Sequence, residues 1–357
     1  MSITSTFFGR AKDGHDVTKY TLTNAIGAYV SILDYGAIIN EIVVPDADGE
    51  LDDVCLGFPD MTGYNVKHGH MGEVIGRFAN RIRDAWFEAD GVRYDLPKTK
   101  GNAHAHGGMQ CYGDRMWEAK TAEGKGKDTL TLTIFSPDGE EGYPGNLTLT
   151  TTYTWNDNCD LIIRYHATTD KTTILNITNH AYFNLAGHDH GTVEDHVVCI
   201  DSDVITENDE QQIPTGDYLP VAGTPFDMRD GLLLAAGFEE LENNEQMRIG
   251  HGYDQNFVLR KGTAMGLAAT VEEEASGRVL EVITDQPGVQ LYTANTTNLT
   301  GGKNGATYGP RCGFCLETQH FPDAPHQPQW DTTLLRPGEV FDSTTIYAFR
   351  VDDFNLL

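Results

Sequence analysis

No run of apolar residues in this 357-residue sequence approaches the ~18 that a membrane-spanning helix requires. Its first residues, M-S-I-T-S-T-F-F-G-R-A-K-D-G, lack the apolar stretch of about 7 to 15 residues that marks a secretory leader. The expected compartment is the cytoplasm, so the N-x-T sequons at Asn146 and Asn176 carry no weight as glycosylation sites. Positive charge is scarce as well. Lys and Arg total 25 against 53 Asp and Glu, a formal net charge of -28. The basic clusters that neutralise a phosphate backbone or an anionic lipid surface are missing, which argues against nucleic acid and membranes as partners. The acidity reads as a well-hydrated surface. Six cysteines are too few for a disulfide framework in a chain this long, and Cys55, Cys111, Cys159 and Cys199 are scattered, so reduced thiols are expected. The close pair Cys312 and Cys315, in C-G-F-C, lacks the βαβ setting of a redox motif and the second pair of a zinc site. Fixed-period repeats and low-complexity linkers are also absent, and residues 1–357 are expected to form one domain.

Helical periodicity is in short supply; its best candidate, residues 231–242, is brief. The chain is rich instead in Gly, at 38 residues, and in short alternating runs. Between residues 20 and 45, Y-T-L-T-N, A-Y-V-S-I-L-D-Y and I-I-N-E-I-V-V-P give three β-rich segments broken by Gly and Asn. W-F-E-A-D-G-V-R-Y-D-L, residues 86–96, sets Asp90-Gly91 between two alternating strands, a strong hairpin signal. From Gly145, N-L-T-L-T-T-T-Y-T-W turns at residues 156–158 and returns as L-I-I-R-Y-H-A-T-T, a second hairpin. The predicted class is all-β, a sandwich with few short helices.

The informative residues are the polar ones that interrupt apolar strands. Residues 311–331, R-C-G-F-C-L-E-T-Q-H-F-P-D-A-P-H-Q-P-Q-W-D, place Glu317 among Phe314, Leu316 and Phe321, where a carboxylate needs a reason. The run T-T-I-L-N-I-T-N-H-A-Y-F-N-L, residues 172–185, predicts a strand with Leu175, Ile177, Ala181, Phe183 and Leu185 on one face. Asn176, Thr178, His180 and Tyr182 then share the other, a polar row with an aromatic beside it, as a sugar cleft has. G-R-F-A-N-R-I-R holds Asn80 and Arg81, and A-H-A-H-G-G holds His104 and His106 in a loop. H-x-H can also ligate a metal, but no carboxylate stands at ligand spacing to complete a set, and no metal site is expected. His68 and His70, in K-H-G-H, read as an exposed loop. Asp254 precedes an apolar strand in G-Y-D-Q-N-F-V-L, and P-G-V-Q-L-Y-T supplies Gln290 and Tyr292.

Taken together, G-R-F-A-N-R-I, H-G-G, E-G-Y-P-G-N-L, T-N-H-A-Y-F-N-L, G-T-P-F-D-M-R, Y-D-Q-N-F-V-L, S-G-R-V-L-E-V, P-G-V-Q-L-Y-T and L-E-T-Q-H-F-P-D-A-P, from about residue 20 to 350, resemble the aldose 1-epimerase (galactose mutarotase) family. The resemblance implies a large antiparallel β-sandwich of the supersandwich type with an open sugar cleft. It also implies cofactor-free interconversion of the α and β anomers of a free aldohexose such as galactose or glucose, with a small monosaccharide as the partner. Carried over by position, it makes Glu317 the general base and His180 the general acid, with Asn80, Arg81, His106, Asp254 and Gln290 holding the sugar. Two features depart from the family pattern. The segment after H-G-G reads M-Q-C-Y-G-D-R-M-W where the family more often has a G-F-D-like turn, and Cys312 is an unusual companion to Cys315.

Opening a hemiacetal needs one group to take the proton from the C1 hydroxyl and another to protonate the ring oxygen as it leaves, each worth typically ~10²- to 10⁴-fold. A carboxylate and an imidazolium suffice, with Arg81 and His106 stabilising charge on oxygen. The rival readings are a carbohydrate-binding protein without turnover, a glycosidase using Asp254 and Glu317 as its carboxylate pair, and a mutarotase for a phosphorylated sugar or a disaccharide. The phosphorylated case calls for an Arg or Lys cluster that the sequence does not offer.

Overall fold

A computed structural model describes residues 2–66, 69–124 and 127–352. Strict alternation builds most of it. The strand Leu147–Asn156 buries Leu147, Leu149, Tyr153 and Trp155 and turns the intervening Thr residues outward, except Thr151, which is buried. Through the predicted turn it pairs antiparallel with Asp160–Thr169, Leu147 opposite Thr169. These two strands sit within a nine-stranded sheet. Its order is Glu118–Gly124, Lys127–Ser136, Leu147–Asn156, Asp160–Thr169, Phe341–Val351, Arg278–Thr284, Gly266–Glu273, His196–Ile200 and Leu232–Leu233. The Asp90-Gly91 hairpin joins Trp86–Ala89 to Val92–Asp95, and both turn residues have the positive φ, 51° and 77°, that a tight primed turn demands.

Two five-stranded antiparallel sheets pack on this large one. The first holds Ser2–Arg10, Asp16–Thr23, Tyr29–Leu33, Ile39–Pro45 and Leu51–Asp53, so the three segments read near the N-terminus are preceded by a strand that the sequence reading missed. The second runs Pro214–Pro220, Ser202–Asn208, Asp254–Leu259, Gly288–Tyr292 and Cys315–Gln319. One apolar cluster joins all three sheets: Val30 and Ile42 from the first small sheet, Leu149 and Val282 from the large one, and Phe257 and Leu316 from the second. The architecture is the large antiparallel β-sandwich that was expected. Leu316 is 1% exposed, and its truncation to Ala costs about 2–5 kcal/mol at such a site.

The α-helices among the described residues are short: Met61–Tyr64, Leu234–Phe238 and Glu245–Gly250, the last beginning at an Asn244 side chain that caps two backbone amides. The helix read over 231–242 is thus confined to five residues. No helix among the described residues is long and apolar enough to cross a membrane.

Candidate active site

The second small sheet has two faces of opposite chemistry, set by period-two alternation. Phe257, Val289, Leu291 and Leu316 enter the core. The residues between them form a polar face: Asn256, Gln290 and Glu317 stand side by side in register across three strands, and Asp254, Tyr292 and Cys315 form the next row. Glu317 thus points away from the core from the edge strand of this sheet, because its strand must point alternate residues to opposite faces, and it is still only 2% exposed.

The chain covers this face with irregular segments. The run 172–185 is not the continuous strand that its alternation predicts: only Thr173–Ile174 and Thr178–Asn179 pair as strands. Asparagine side chains take over the missing ladder contacts. Asn176 exchanges hydrogen bonds with the backbone of His320, Asn179 donates to Gly72 O and accepts from Ala181 N, and Asn184 donates to Cys312 O. The alternation itself survives: Leu175, Ile177, Ala181, Phe183 and Leu185 all join the core, and His180 faces Glu317.

The remaining motifs brace one another around the same place. Arg77 of G-R-F-A-N-R-I is fully buried and donates to Pro144 O and Gly145 O of E-G-Y-P-G-N-L and to Ser136. Tyr143 of that second motif hydrogen bonds His104 Nε2 at 2.7 Å, while His104 Nδ1 meets Pro97 O at 2.8 Å. Both nitrogens of His104 are thus occupied by protein, and His104 with His106 forms no metal pair. His106 follows on a positive φ of 48° and bonds through its amide to Asn80 O, with its Nδ1 3.4 Å from Asn80 N. The next residue must be glycine, because a Cβ at Gly107 would collide with Gly76 O. In L-E-T-Q-H-F-P-D-A-P, buried Asp323 accepts from Arg83 N and donates its own amide to Arg81 O, tying the Arg81 segment to the Glu317 strand.

These constraints bring together the seven residues singled out in the sequence. His180 Nε2 lies 3.6 Å from Glu317 Oε1, and its Nδ1 lies 3.4 Å from Cys315 Sγ. Tyr182 stacks on the His180 ring with centroids 5.0 Å apart, and Tyr292 meets it edge-on at 6.3 Å. Asp254 Oδ1 accepts from Gln290 Nε2 at 2.6 Å, and its Oδ2 is 3.7 Å from Arg81 Nη2. Arg81 also donates to Asn80 Oδ1 and, at 2.8 Å, to Gln212 Oε1. The rim is less covered than the floor: Asp254 and His106 are half-buried.

Burial pushes the Glu317 carboxyl up to about 8, with the Asp254 carboxylate adding to the rise and Arg81 opposing it. His106 is held well below its ordinary range by burial and then by His70, His180 and Arg81, so at neutral pH it is an uncharged donor and acceptor. Among the described residues, Glu317 Oε2, Gln290 Oε1 and Asn256 Nδ2 on the sheet and Arg81 Nε above it are buried without a hydrogen-bond partner. Buried polar groups are seldom left so. Two acceptors and two donors left open on and above one sheet face suit a polyhydroxylated ligand, whose every hydroxyl both donates and accepts.

Gln212 was not anticipated; it sits 131 residues from the Arg81 that it orients, and nothing in its local pattern marks it. His70 is a correction. Read as part of an exposed loop, it is part-buried, bonded to Glu73 at 2.8 Å, with its ring 4.8 Å from His106 and 6.2 Å from His180. His68 lies outside the described residues. The C-G-F-C pair is buried as free thiols, with Cys315 against His180. A separate cavity of about 410 Å³, lined by Leu175, His320, Thr333 and Phe341 among others, contains none of the site residues.

Comparison with known proteins points one way. The family model described as Aldose 1-epimerase matches residues 18–348. The chain is 42% identical over 352 residues to galactose mutarotase of Homo sapiens, spanning 98% of this chain and 99% of that one. It is 34% identical over 342 residues to aldose 1-epimerase of Escherichia coli K12, spanning 95% and 97%. Among solved structures, galactose 1-epimerase from Lactobacillus acidophilus superimposes with a TM-score of 0.86 at 27% identity, covering 99% of this chain and 100% of that one. An aldose epimerase homologue from C. elegans gives 0.85 at 28%, covering 98% and 100%.

Proposed function

The chain belongs to the aldose 1-epimerase family, and from that premise we propose that Glu317 and His180 carry the proton transfers by which it opens and recloses a free aldohexose. It is an isomerase that interconverts α and β anomers. The observation that carries the residue assignment is the 3.6 Å approach of His180 Nε2 to Glu317 Oε1. The two oxygens that exchange protons in ring opening, O1 and O5, are bonded to the same carbon, so their acid and base must be close neighbours. Two carboxylates bracketing a glycosidic bond stand farther apart, about 5–5.5 Å or more. Asp254, the other carboxylate here, has one oxygen held by Gln290 and the other facing Arg81, which suits a sugar-gripping anchor.

The steps balance as follows. Ionised Glu317 takes the O1 proton as protonated His180 gives one to O5; the C1–O5 bond breaks and C1=O1 forms. The aldehyde turns about C1–C2 and O5 attacks the other face, returning its proton to His180 while Glu317 returns the first to O1. The carboxyl raised to about 8 is a strong base for its class, since a general base is most effective with a pKa near the working pH. Arg81, with its free Nε, stabilises charge on the sugar oxygens as it develops, and uncharged His106 adds a hydrogen bond. Asn80 is placed to hold Arg81, and Asp254 with Gln290 to grip the remote hydroxyls.

The same reading takes residues 1–357 as one domain, supported by an apolar core that runs from Leu22 to Phe349, and places the enzyme in the cytoplasm, supported by its free thiols. The test is polarimetry of freshly dissolved α-galactose and α-glucose: the protein accelerates the approach to the equilibrium rotation for at least one. An unchanged time course with both sugars refutes the assignment.

A further inference from the structure

Beside the sugar site lies a second constellation that ring opening does not use. His70 Nδ1 and Glu73 Oε2 are 2.8 Å apart; Cys111 Sγ is 4.0 Å from each and 3.8 Å from Asp114 Oδ2. The His70, Glu73 and Cys111 ligand atoms all lie within 4.8 Å of one another. We propose that His70, Glu73 and Cys111, with Asp114 beside the thiol, form a binding site for one divalent cation of the zinc class next to the sugar site, distinct from the Glu317–His180 pair.

The donor set fits the ion. Zinc takes four ligands from thiolate, imidazole and carboxylate, with bonds of about 2.0–2.3 Å, so tetrahedral partners stand roughly 3.3–3.7 Å apart. The sulfur contacts need to tighten by only a few tenths of an ångström, and the His70–Glu73 contact must open by about 0.5 Å. One imidazole, one thiol and one carboxylate, with solvent or a shifted Asp114 as the fourth ligand, are a zinc combination and a poor one for magnesium or calcium, which take oxygen ligands alone. On binding, the thiol proton leaves to solvent and the thiolate becomes the ligand.

The backbone is arranged for the approach. Glu73 is 2% exposed and Cys111 1%, while the His70 side chain keeps 34% of its surface and gives access from solvent. A Cβ at Gly113 would collide with the Glu73 carboxylate, so glycine at this position admits Glu73 beside Cys111. One of the three ligands, Cys111, with Gly113 and Asp114 beside it, comes from M-Q-C-Y-G-D-R-M-W, the segment that departs from the family pattern. The other two flank a turn clamped to the catalytic segment: Gly72 N donates to His180 O, and His180 N donates to Glu73 O. The His70 ring lies 4.8 Å from that of His106. The cation therefore acts by position, fixing His70 against the residues that hold the sugar, and takes no part in proton transfer.

The experiment is to titrate the full-length, chelator-stripped protein with zinc by calorimetry, then with cobalt(II) while recording the near-ultraviolet band of sulfur-to-cobalt charge transfer. One equivalent of zinc and a charge-transfer band are expected, with Cys111→Ser abolishing the band and Glu73→Gln weakening zinc binding about 10-fold or more. Cys199→Ser serves as the control thiol and leaves both unchanged. No stoichiometric zinc binding, no band in the unmutated protein, or a band lost in Cys199→Ser and kept in Cys111→Ser overturns the proposal. The first two readouts need no variant, so a misfolded mutant cannot rescue it.

Discussion

Replacing Glu317 by Gln is expected to remove the enzyme's activity and make its fold more stable, with the gain growing as pH rises. The folded-state carboxyl sits at about 8 instead of its ordinary 4.5. Between those two values the folded protein binds a proton that the unfolded chain has released, so stability falls with increasing pH by about 1.36 kcal/mol per pH unit from this group alone. The contribution is unpenalised below about pH 4.5, is down by about 3 kcal/mol at pH 7, and levels off near 5 kcal/mol above pH 8. Glutamine has no proton to lose and escapes that slope. Since Glu317 Oε2 has no hydrogen-bond partner among the described residues, the amide gives up little there in return. Urea unfolding of both proteins at pH 5, 7 and 8.5, extrapolated to water, reads the difference directly. The variant should match the unmutated protein near pH 5 and exceed it increasingly above, while polarimetry records a kcat loss of at least about 10²-fold. A stability difference that does not change with pH would falsify the displaced carboxyl and, with it, the account of how the base is tuned.

The same carboxyl sets the acid limb of kcat/KM: the base must be ionised, so activity should decline as pH falls below about 8, and a limb near pH 4.5 contradicts the burial argument. Asp254→Ala removes an anion that raises Glu317, so it should move that limb to lower pH while raising KM more than it lowers kcat; a fixed limb with a pure kcat loss assigns Asp254 to the chemical step. Gln290→Ala should likewise act chiefly on KM, read by the same initial rates. Exhaustive chelation should leave kcat within about twofold, because the proton carriers are side chains even when the His70–Cys111 cluster is emptied; loss restored by added zinc refutes that division. Reaction in D2O followed by proton NMR should leave C1-H unlabelled, since ring opening moves only oxygen-bound protons, and deuterium at C1 rules the mechanism out.

What could be read from the sequence, and what could not, follows from how each contact is made. The strand carrying Glu317 was legible because alternation is local: Leu316 must face the core, so Glu317 must face away. The hairpin at Asp90-Gly91 was legible because its turn residues meet a conformational demand of their own. The run 172–185 shows where that logic weakens. Its alternation correctly sorted core from polar residues, yet the strand was broken, because Asn176, Asn179 and Asn184 satisfy backbone groups that a ladder would otherwise pair. A pattern of burial therefore reports which way a side chain points and not which hydrogen bonds hold it. Gln212 carried no readable pattern at all, since its meaning lies in Arg81, far along the chain, and His70 was misread because Cys111 and His106 meet it only in the fold. The motifs occupy the middle ground. Arg77 in one is the donor for Pro144 and Gly145 in another, and Tyr143 in that second motif fixes His104 in a third. Each short string is under-determined alone, but the strings brace one another around one carboxylate and leave donors and acceptors open beside it. That mutual bracing explains why weak motifs in order identify the site together, while Glu73, whose carboxylate meets His70 and Cys111, belongs to the neighbouring constellation.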